Sequence, residues 1–402
     1  MAYTGSSNYN SAVMDYYEPG LLKTAEGYLV ASKFADRKYQ TKGYDTIRAN
    51  KILRPGKTTS PLSEGQLYGP DDAGELFTNY IDCELQEWGH SFGFSKKVKF
   101  ASFIKDKDNR DVIANHFARS MEFQVIKMMT LGALWHRVDY DTNYEVNGSC
   151  DAGSDTGNAV DDALTQADNY WNGSMFTVPN ADGPNYDQSR QVSTFTAASD
   201  KATFGTAFNH NLTTDSHYHL TSPGGLTSSD TLSTAALIRV AGMERVLETE
   251  PFRGGIYRAF IHADQENDLW SDSVFQNSAI YDNSRRFQNY VLGRWFNIEF
   301  MISSELYRMG TDGTYSATGD VYAALIFGRH SYFVAHWGSG SANNNIFGID
   351  WQIVDRPDSQ NLLGMRNWIG WQGDCAMTVL RSTSIIGLLT GATGLPVGGI
   401  LT

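Results

Sequence analysis

Three histidines crowd one short run, His210, His217 and His219, in the sequence HNLTTDSHYH. Imidazoles at i and i+2 lie on the same face of a strand and could share one divalent cation. The run has no cysteine beside it and sits among polar residues. Surface histidines in a loop are therefore the plainer reading. An ion held there would be structural, because no base or open cleft accompanies it. Two adjacent carboxylate pairs, Asp71-Asp72 and Asp161-Asp162, are candidates for acid–base work. Glycoside hydrolysis, however, needs two carboxyls from separated positions held about 5–10 Å apart. Neighbouring aspartates in loops serve instead as caps and solvated charges. Trp337, Trp351, Trp368 and Trp371 could stack on a sugar, but their spacing in strand-like runs fits a core or a subunit interface better. Lys96, Lys97 and Lys99 beside Phe94 and Phe100 make a basic-aromatic cluster too small, in an acidic chain, for specific nucleic-acid binding. Asn147, Asn172 and Asn211 head Asn-x-Ser/Thr triplets that read more simply as turns. The sequence contains no GxGxxG opening a helix, no GxxxxGK[ST], no HExxH and no GxSxG. The expectation is a protein that is not an enzyme, with no catalytic, cofactor-binding or metal residues and no cofactor.

The elements that would carry these residues differ along the chain. Residues 1–20 are rich in Ser, Asn, Tyr and Gly without periodicity, an extended arm. Residues 21–44 hold apolar anchors and room for a short helix, but no clean stripe. Residues 46–104 read as strands and turns, a hairpin-like excursion broken by Pro55-Gly56 and Gly69-Pro70. Asp108 to Trp135 is the strongest helix: Ile113, Phe117, Met121, Val125, Met128 and Trp135 recur every three or four residues without a proline. Asp108 is its candidate N-cap. Residues 141–228 are dense in Asp, Asn, Gly, Ser and Thr, which predicts an exposed, loop-rich insertion with a few strands. A second helix is expected over Asp230–Glu250, capped by Asp230 and stopped by Pro251. From Gly255 onward strands alternate with short helices, the order of an α+β or α/β unit with a sheet inside.

The chain has 402 residues, enough for two or three units with cores of their own. Its net charge of −13 is unevenly spread. Leu21–Lys57 carries nine Lys or Arg against three Asp or Glu, whereas Tyr140–Asp230 carries two against twelve. Opposite charge on two regions of one chain would draw neighbouring copies together. Three widely spaced cysteines without a CxxC argue against a disulfide framework and for a reducing compartment. The polar start has no signal-peptide core, and the apolar end is too short and broken to span a membrane. A soluble protein made in the cytosol is expected.

One series of phrases adds to this reading. YRAFIHADQENDLWSD, GRWFNIEFMISSE, YAALIFGRHSYFVAHW and GIDWQIVDRPDSQNLLGMRNWIGWQGDCAMTVLRSTS follow one another between Tyr257 and Leu389. In that order they resemble the major capsid proteins of tailed bacteriophages, in particular the N-four-like family. LLKTAEGYLVASKFADRKYQTKGYDTIRANKILRPGKTT resembles the family's N-terminal block, and HFARSMEFQVIKMMTLGALWHRVD matches its long helix in position. Residues 141–228 have no clear counterpart. The resemblance implies an α+β protein of the Hong Kong 97-type capsid fold: an N-terminal arm at 1–45, an extended β-hairpin loop at 46–105 and the spine helix of a peripheral domain at 106–140. The polar acidic insertion at 141–229 follows, then an axial domain at 230–350 and return strands with the tail at 351–402. It implies hexamers and pentamers closing into an icosahedral shell around double-stranded DNA, packaged without sequence preference. It also implies a portal and possible scaffold or decoration partners, no membrane, and a place in the virion capsid after assembly in the host bacterial cytoplasm.

An arm and a long hairpin without their own core make physical sense if a neighbouring copy covers them. The subunit-interface candidates are Leu67, Tyr68, Trp88 and Phe92 in the extended loop, with Arg37, Lys38 and Arg48 pairing acidic neighbours. The competing expectation is a secreted carbohydrate-binding or hydrolytic protein, motivated by the Asp, Trp and Tyr content. The missing signal peptide and the odd cysteine count weigh against it.

Overall fold

The structure is a computed structural model. It describes residues 30–40, 46–52, 78–95, 106–179, 187–214, 216–282, 293–303, 305–310, 312–314, 320–337, 349–354 and 366–393, with Asn185 and Ser316. The chain divides into two compact units built from interleaved segments. The first takes residues 1–48, 82–126 and 332–378, and the second takes 49–81, 127–331 and 379–402.

The first unit is built on a five-stranded sheet. Its order is Asp36–Gln40, Tyr332–Trp337, Arg366–Val379, Ile349–Val354, and Gln86–Ser95 also pairs Arg366–Val379. The Asp36–Gln40 strand runs parallel to its neighbour, with Arg37 opposite Val334 and Lys38 opposite Ala335. Before it, Ala31–Phe34 forms one 3-10 turn, which is all the described part of residues 21–44 shows of the expected helix. That turn is tied to the long helix by Glu122, a buried carboxylate that accepts the Val30 and Ala31 amides. The long helix runs Asp106–Gly132, 27 residues and so about 40 Å, beginning in this unit and ending in the other. Ile113, Phe117, Met121 and Val125 are buried, as the spacing requires. Trp135 is buried too, but as part of a strand: the helix stops at Gly132, where a Cβ would meet the Val379 side chain.

The second unit holds two larger sheets. The seven-stranded sheet orders Arg294–Trp295, Ile298–Ile302, Tyr257–Ile261, Val321–Phe327, Ile385–Thr390, Leu134–Arg137, with Arg308–Met309 also on Val321–Phe327. Val321–Phe327 is buried at all seven positions, which explains its unbroken apolar run. Leu237, Val240 and Ala241 of the Thr234–Val246 helix pack on Tyr257, Ala259, Ala324, Ile326 and Leu388. This helix starts four residues later than the sequence predicts. Ser233 is the N-cap, and Asp230 instead closes a preceding turn by accepting the Thr227 amide at 2.8 Å.

The region expected to be loop-rich, residues 141–228, is instead a six-stranded antiparallel sheet. Its order is Glu145–Ser149, His217–Thr221, Met175–Val178, Gln188–Thr196, Lys201–Phe204, Asn158–Val160. It buries a core of its own around Trp171, Phe176, Val192, Phe195, Phe208, Tyr218 and Leu220. Many of its acidic groups are structural. Asp155 accepts the Gly157 amide at 2.7 Å and the Asn158 side chain, and Asp161 accepts the Ala163 amide at 2.8 Å. Short polar turns between three- to nine-residue strands produce the composition that reads as loop. Thr46–Ile52 and Thr78–Glu84 pair as a separate two-stranded ribbon. Among the described residues no helix is long and apolar enough to cross a membrane.

Candidate functional site

The histidine run does not close on itself. His217 and His219 share the His217–Thr221 strand, but His217 is exposed and bonds Ser149 Oγ at 2.7 Å, while His219 is buried. His210 contacts Asn185 through its backbone. The partners of His219 come from elsewhere: His136, with ring centroids 4.5 Å apart, and Glu145. Glu145 Oε1 stands 2.8 Å from His136 Nδ1 and 3.5 Å from His219 Nε2. Burial pushes His219 down to about 4, helped by the neighbouring His136. Burial raises the Glu145 carboxyl, but the hydrogen bond and charge of His136 outweigh it and hold the group below its usual range. Neither His136 nor Glu145 stood out in the sequence. They lie far from His219 along the chain: strand pairing brings Glu145 to it, and the meeting of two sheets brings His136.

The aspartate pair differs in burial, although one oxygen each from Asp161, Asp162 and Asp151 lie within 4.8 Å of one another. Asp161 is buried and accepts the Tyr218 hydroxyl at 2.5 Å, whereas Asp162 is exposed. Burial, then the Asp161 hydrogen bond, drives the Tyr218 phenol well above its usual range. Asp71-Asp72 and the Lys96, Lys97 and Lys99 cluster lie outside the described residues. The three thiols, Cys83, Cys150 and Cys375, are free and buried. Burial pushes Cys83 up to about 11 and the other two up to about 12, so none is a ready nucleophile.

The first unit has an open groove of ≈ 440 Å³ lined by Glu87, Trp88, His90, Trp368, Trp371 and Gln372, with neighbouring backbone. Pairing of Gln86–Ser95 with Arg366–Val379 places these rings, with Trp88 opposite Gly373 and Phe92 opposite Ile369. His90 stacks on His116 of the long helix at 4.6 Å, and Trp371 Nε1 donates to His116 Nδ1 at 3.3 Å. Of its lining carboxylates only Glu87 is present, and Gln372 hydrogen-bonds it. Two flanking carboxyls, the requirement for glycoside hydrolysis, are absent from this lining.

The interface candidates are distributed over the strands of the first unit. Trp88 and Phe92 are half-buried on Gln86–Ser95. Arg37 is exposed on the Asp36–Gln40 strand, which stands at the end of the sheet order. Lys38 follows it on the same strand. Arg48 makes a bidentate pair with Asp82 of its own chain, at 2.6 and 2.7 Å. Leu67 and Tyr68 lie outside the described residues.

The architecture is α+β, with a long helix, an interleaved sheet unit and a mixed-sheet unit, and it is the Hong Kong 97-type capsid fold. Solved structures carry the same fold across most of their length. One is a chain of the capsid of Ralstonia phage GP4, with 15% identity, TM-score 0.52, and 91% of this chain and 89% of that chain covered. Another is from the capsid of cyanophage P-SCSP1u, with 10% identity, TM-score 0.53, and 90% and 88% covered. A third is from the capsid asymmetric unit of cyanophage Pam1, with 12% identity, TM-score 0.50, and 89% of each chain covered. No protein-family model and no curated protein matches the chain.

Proposed function

We propose that the protein is a major capsid protein that self-assembles into hexamers and pentamers of an icosahedral phage shell enclosing double-stranded DNA. The observation that carries this reading is the likeness to capsid chains over about nine-tenths of both partners. The role is mechanical rather than enzymatic. In this reading residues 1–45 are an arm and 46–105 an extended loop; Asp36–Gln40 and Gln86–Ser95 within them pair in the chain's own sheet, and other parts of both segments meet neighbouring copies. Residues 106–140 give the spine helix, 230–350 most of the axial domain at the symmetry centres, and 351–402 the return to the peripheral sheet. The acidic segment at 141–229 contributes a sheet module with a core of its own. Arg37, Lys38, Arg48, Leu67, Tyr68, Trp88 and Phe92 contribute to subunit contacts. The protein resides in the virion capsid after assembly in the host cytoplasm, alongside a portal and scaffold or decoration proteins. A net charge of −13 suits a shell that must not grip its DNA.

Sedimentation velocity of the full chain over a concentration series tests the assembly claim. Capsomers or shells growing at the expense of monomer support it, and a monomer at every concentration, with or without its virion partners, refutes it.

A further inference from the structure

Two sheets of the second unit meet at a cluster of donors that the shell-forming role does not use. His136 belongs to Leu134–Arg137 in the seven-stranded sheet, while Glu145 and His219 belong to Glu145–Ser149 and His217–Thr221 in the six-stranded sheet. Each offers one ligand atom, and the three atoms lie within 4.8 Å of one another. We propose that His136, Glu145 and His219 form a structural site for a first-row divalent cation, zinc by the chemistry of its donors, that staples the six-stranded sheet to the seven-stranded one.

The geometry supports an ion in three ways. First, metal–donor bonds of about 2.0–2.1 Å at tetrahedral angles place donor atoms roughly 3.3 Å apart. Glu145 Oε1 is 2.8 Å from His136 Nδ1 and 3.5 Å from His219 Nε2, which brackets that spacing. Second, the ligands are oriented from behind. The Arg137 amide donates to Glu145 Oε2 at 3.0 Å, leaving Oε1 to face the imidazoles. Asn147 Oδ1 lies 2.7 Å from His219 Nδ1. An outer hydrogen bond of this kind fixes the tautomer whose Nε2 lone pair faces inward, as in metal-bound histidines. Third, that tautomer crowds lone pairs. The Trp135 carbonyl oxygen and Thr221 Oγ1 lie 2.9 and 2.8 Å from His219 Nε2, and Thr221 Oγ1 lies 2.9 Å from the same carbonyl. The Thr221 hydroxyl then has one proton for two acceptors. A cation relieves the crowding, with Trp135 O or Thr221 Oγ1 completing four-coordination. All three side chains are largely buried, at 12%, 14% and 5% exposure. The site is therefore closed to substrate, and two imidazoles with one carboxylate suit zinc better than calcium or magnesium.

The competing state is a metal-free hydrogen-bonded network with the opposite His219 tautomer, and the two differ in what they bind. The full chain, stripped with chelator and dialysed, is titrated with zinc by calorimetry and its metal content measured. The proposal expects about one zinc per chain, a raised melting temperature with zinc, and visible absorption bands on cobalt substitution. Glu145→Gln and His136→Gln each weaken zinc binding about ten-fold or more, while His210→Ala and His217→Ala leave it unchanged. A folded wild-type chain that takes up no zinc and shows no cobalt bands overturns the proposal, whatever the variants do. So does zinc binding that survives Glu145→Gln and His136→Gln, or that is lost with His217→Ala.

Discussion

Gly173 and Gly313 touch backbone to backbone, though 140 residues separate them. A Cβ on Gly173 would fall 1.8 Å from the Asp312 carbonyl oxygen, and one on Gly313 would fall 2.3 Å from the Gly173 carbonyl oxygen. Both have positive φ, 76° and 72°. Gln191 Nε2 donates to the Gly173 and Gly313 carbonyl oxygens, each at 3.0 Å. The contact joins the loop before Met175–Val178 to the chain around Gly313, where the Gly310 amide donates to the Thr314 carbonyl. Gly173→Ala and Gly313→Ala should each destabilise the protein by about 3 kcal/mol or more, adding backbone strain to overlap. Gly153 also has positive φ, 102°, but nothing lies within 4 Å of its Cβ position. Gly153→Ala should cost only about 1–2 kcal/mol. Denaturant unfolding of the three variants checks the order, and equal losses would show that overlap plays no part.

The long helix was legible because one stripe of Ile113, Phe117, Met121 and Val125 persists for several turns, and packing agrees with it. The insertion was not legible because its buried strand positions are often polar. Thr177, Ser189, His219 and Thr221 are all buried, and Thr177 pairs with Ser189 at 2.7 Å. Hydrogen bonds inside the sheet satisfy these groups, so hydropathy alternation never shows. The histidine cluster failed for another reason. Neighbourhood in sequence joined His210 and His217 to His219, whereas strand pairing supplies Glu145 and the contact of two sheets supplies His136. The Asp230 cap failed by a turn, because Asp favours tight turns as readily as helix starts.

Glu122 holds the start of the described chain to the long helix. Its carboxylate, only 3% exposed, accepts the Ala31 amide at 2.8 Å and the Val30 amide at 3.1 Å. Glu122→Ala leaves these amides without that acceptor and should cost about 1–3 kcal/mol. It should also speed proteolysis on the N-terminal side of Asp36. Limited proteolysis followed by mass spectrometry reads this directly, and an unchanged cleavage rate contradicts it.

His262 makes the second unit sensitive to mild acid. It caps the Ala263–Ser271 helix and lies between Asp264, with Nδ1 3.2 Å from its Oδ2, and Arg308, with Nη2 2.8 Å from Nε2. The Tyr322 ring faces it at 5.0 Å, and the Tyr322 hydroxyl donates to Asp264 at 2.6 Å. Burial, and then the Arg308 charge, hold His262 below its usual value of 6.5. The unfolded chain therefore takes up the proton first, so the contribution of His262 to stability is full above about pH 6.5 and is lost as pH drops below it. His262→Asn keeps a capping oxygen and removes the titration. Unfolding free energies between pH 7.5 and 5.5 should decline less steeply in the variant, and parallel declines would rule the effect out.

Arg37, Lys38 and Arg48 supply the positive side of the proposed subunit contacts. Arg48 and Asp82 are 57% and 37% exposed, so their pair contributes less than about 1 kcal/mol to the folded monomer. Reversing Arg37, Lys38 and Arg48 together to Glu should leave the melting temperature nearly unchanged while reducing particle yield several-fold, most at low salt. Unchanged yield by sedimentation would remove these residues from the interface.

The most direct test of the central claim is the mass and shape of the protein from its native source, by sedimentation and negative-stain electron microscopy. Hollow or DNA-filled icosahedral particles of many copies, whose shell is made mainly of this chain, are expected. A stable monomer or small oligomer, with no closed particle in the same preparation, contradicts it.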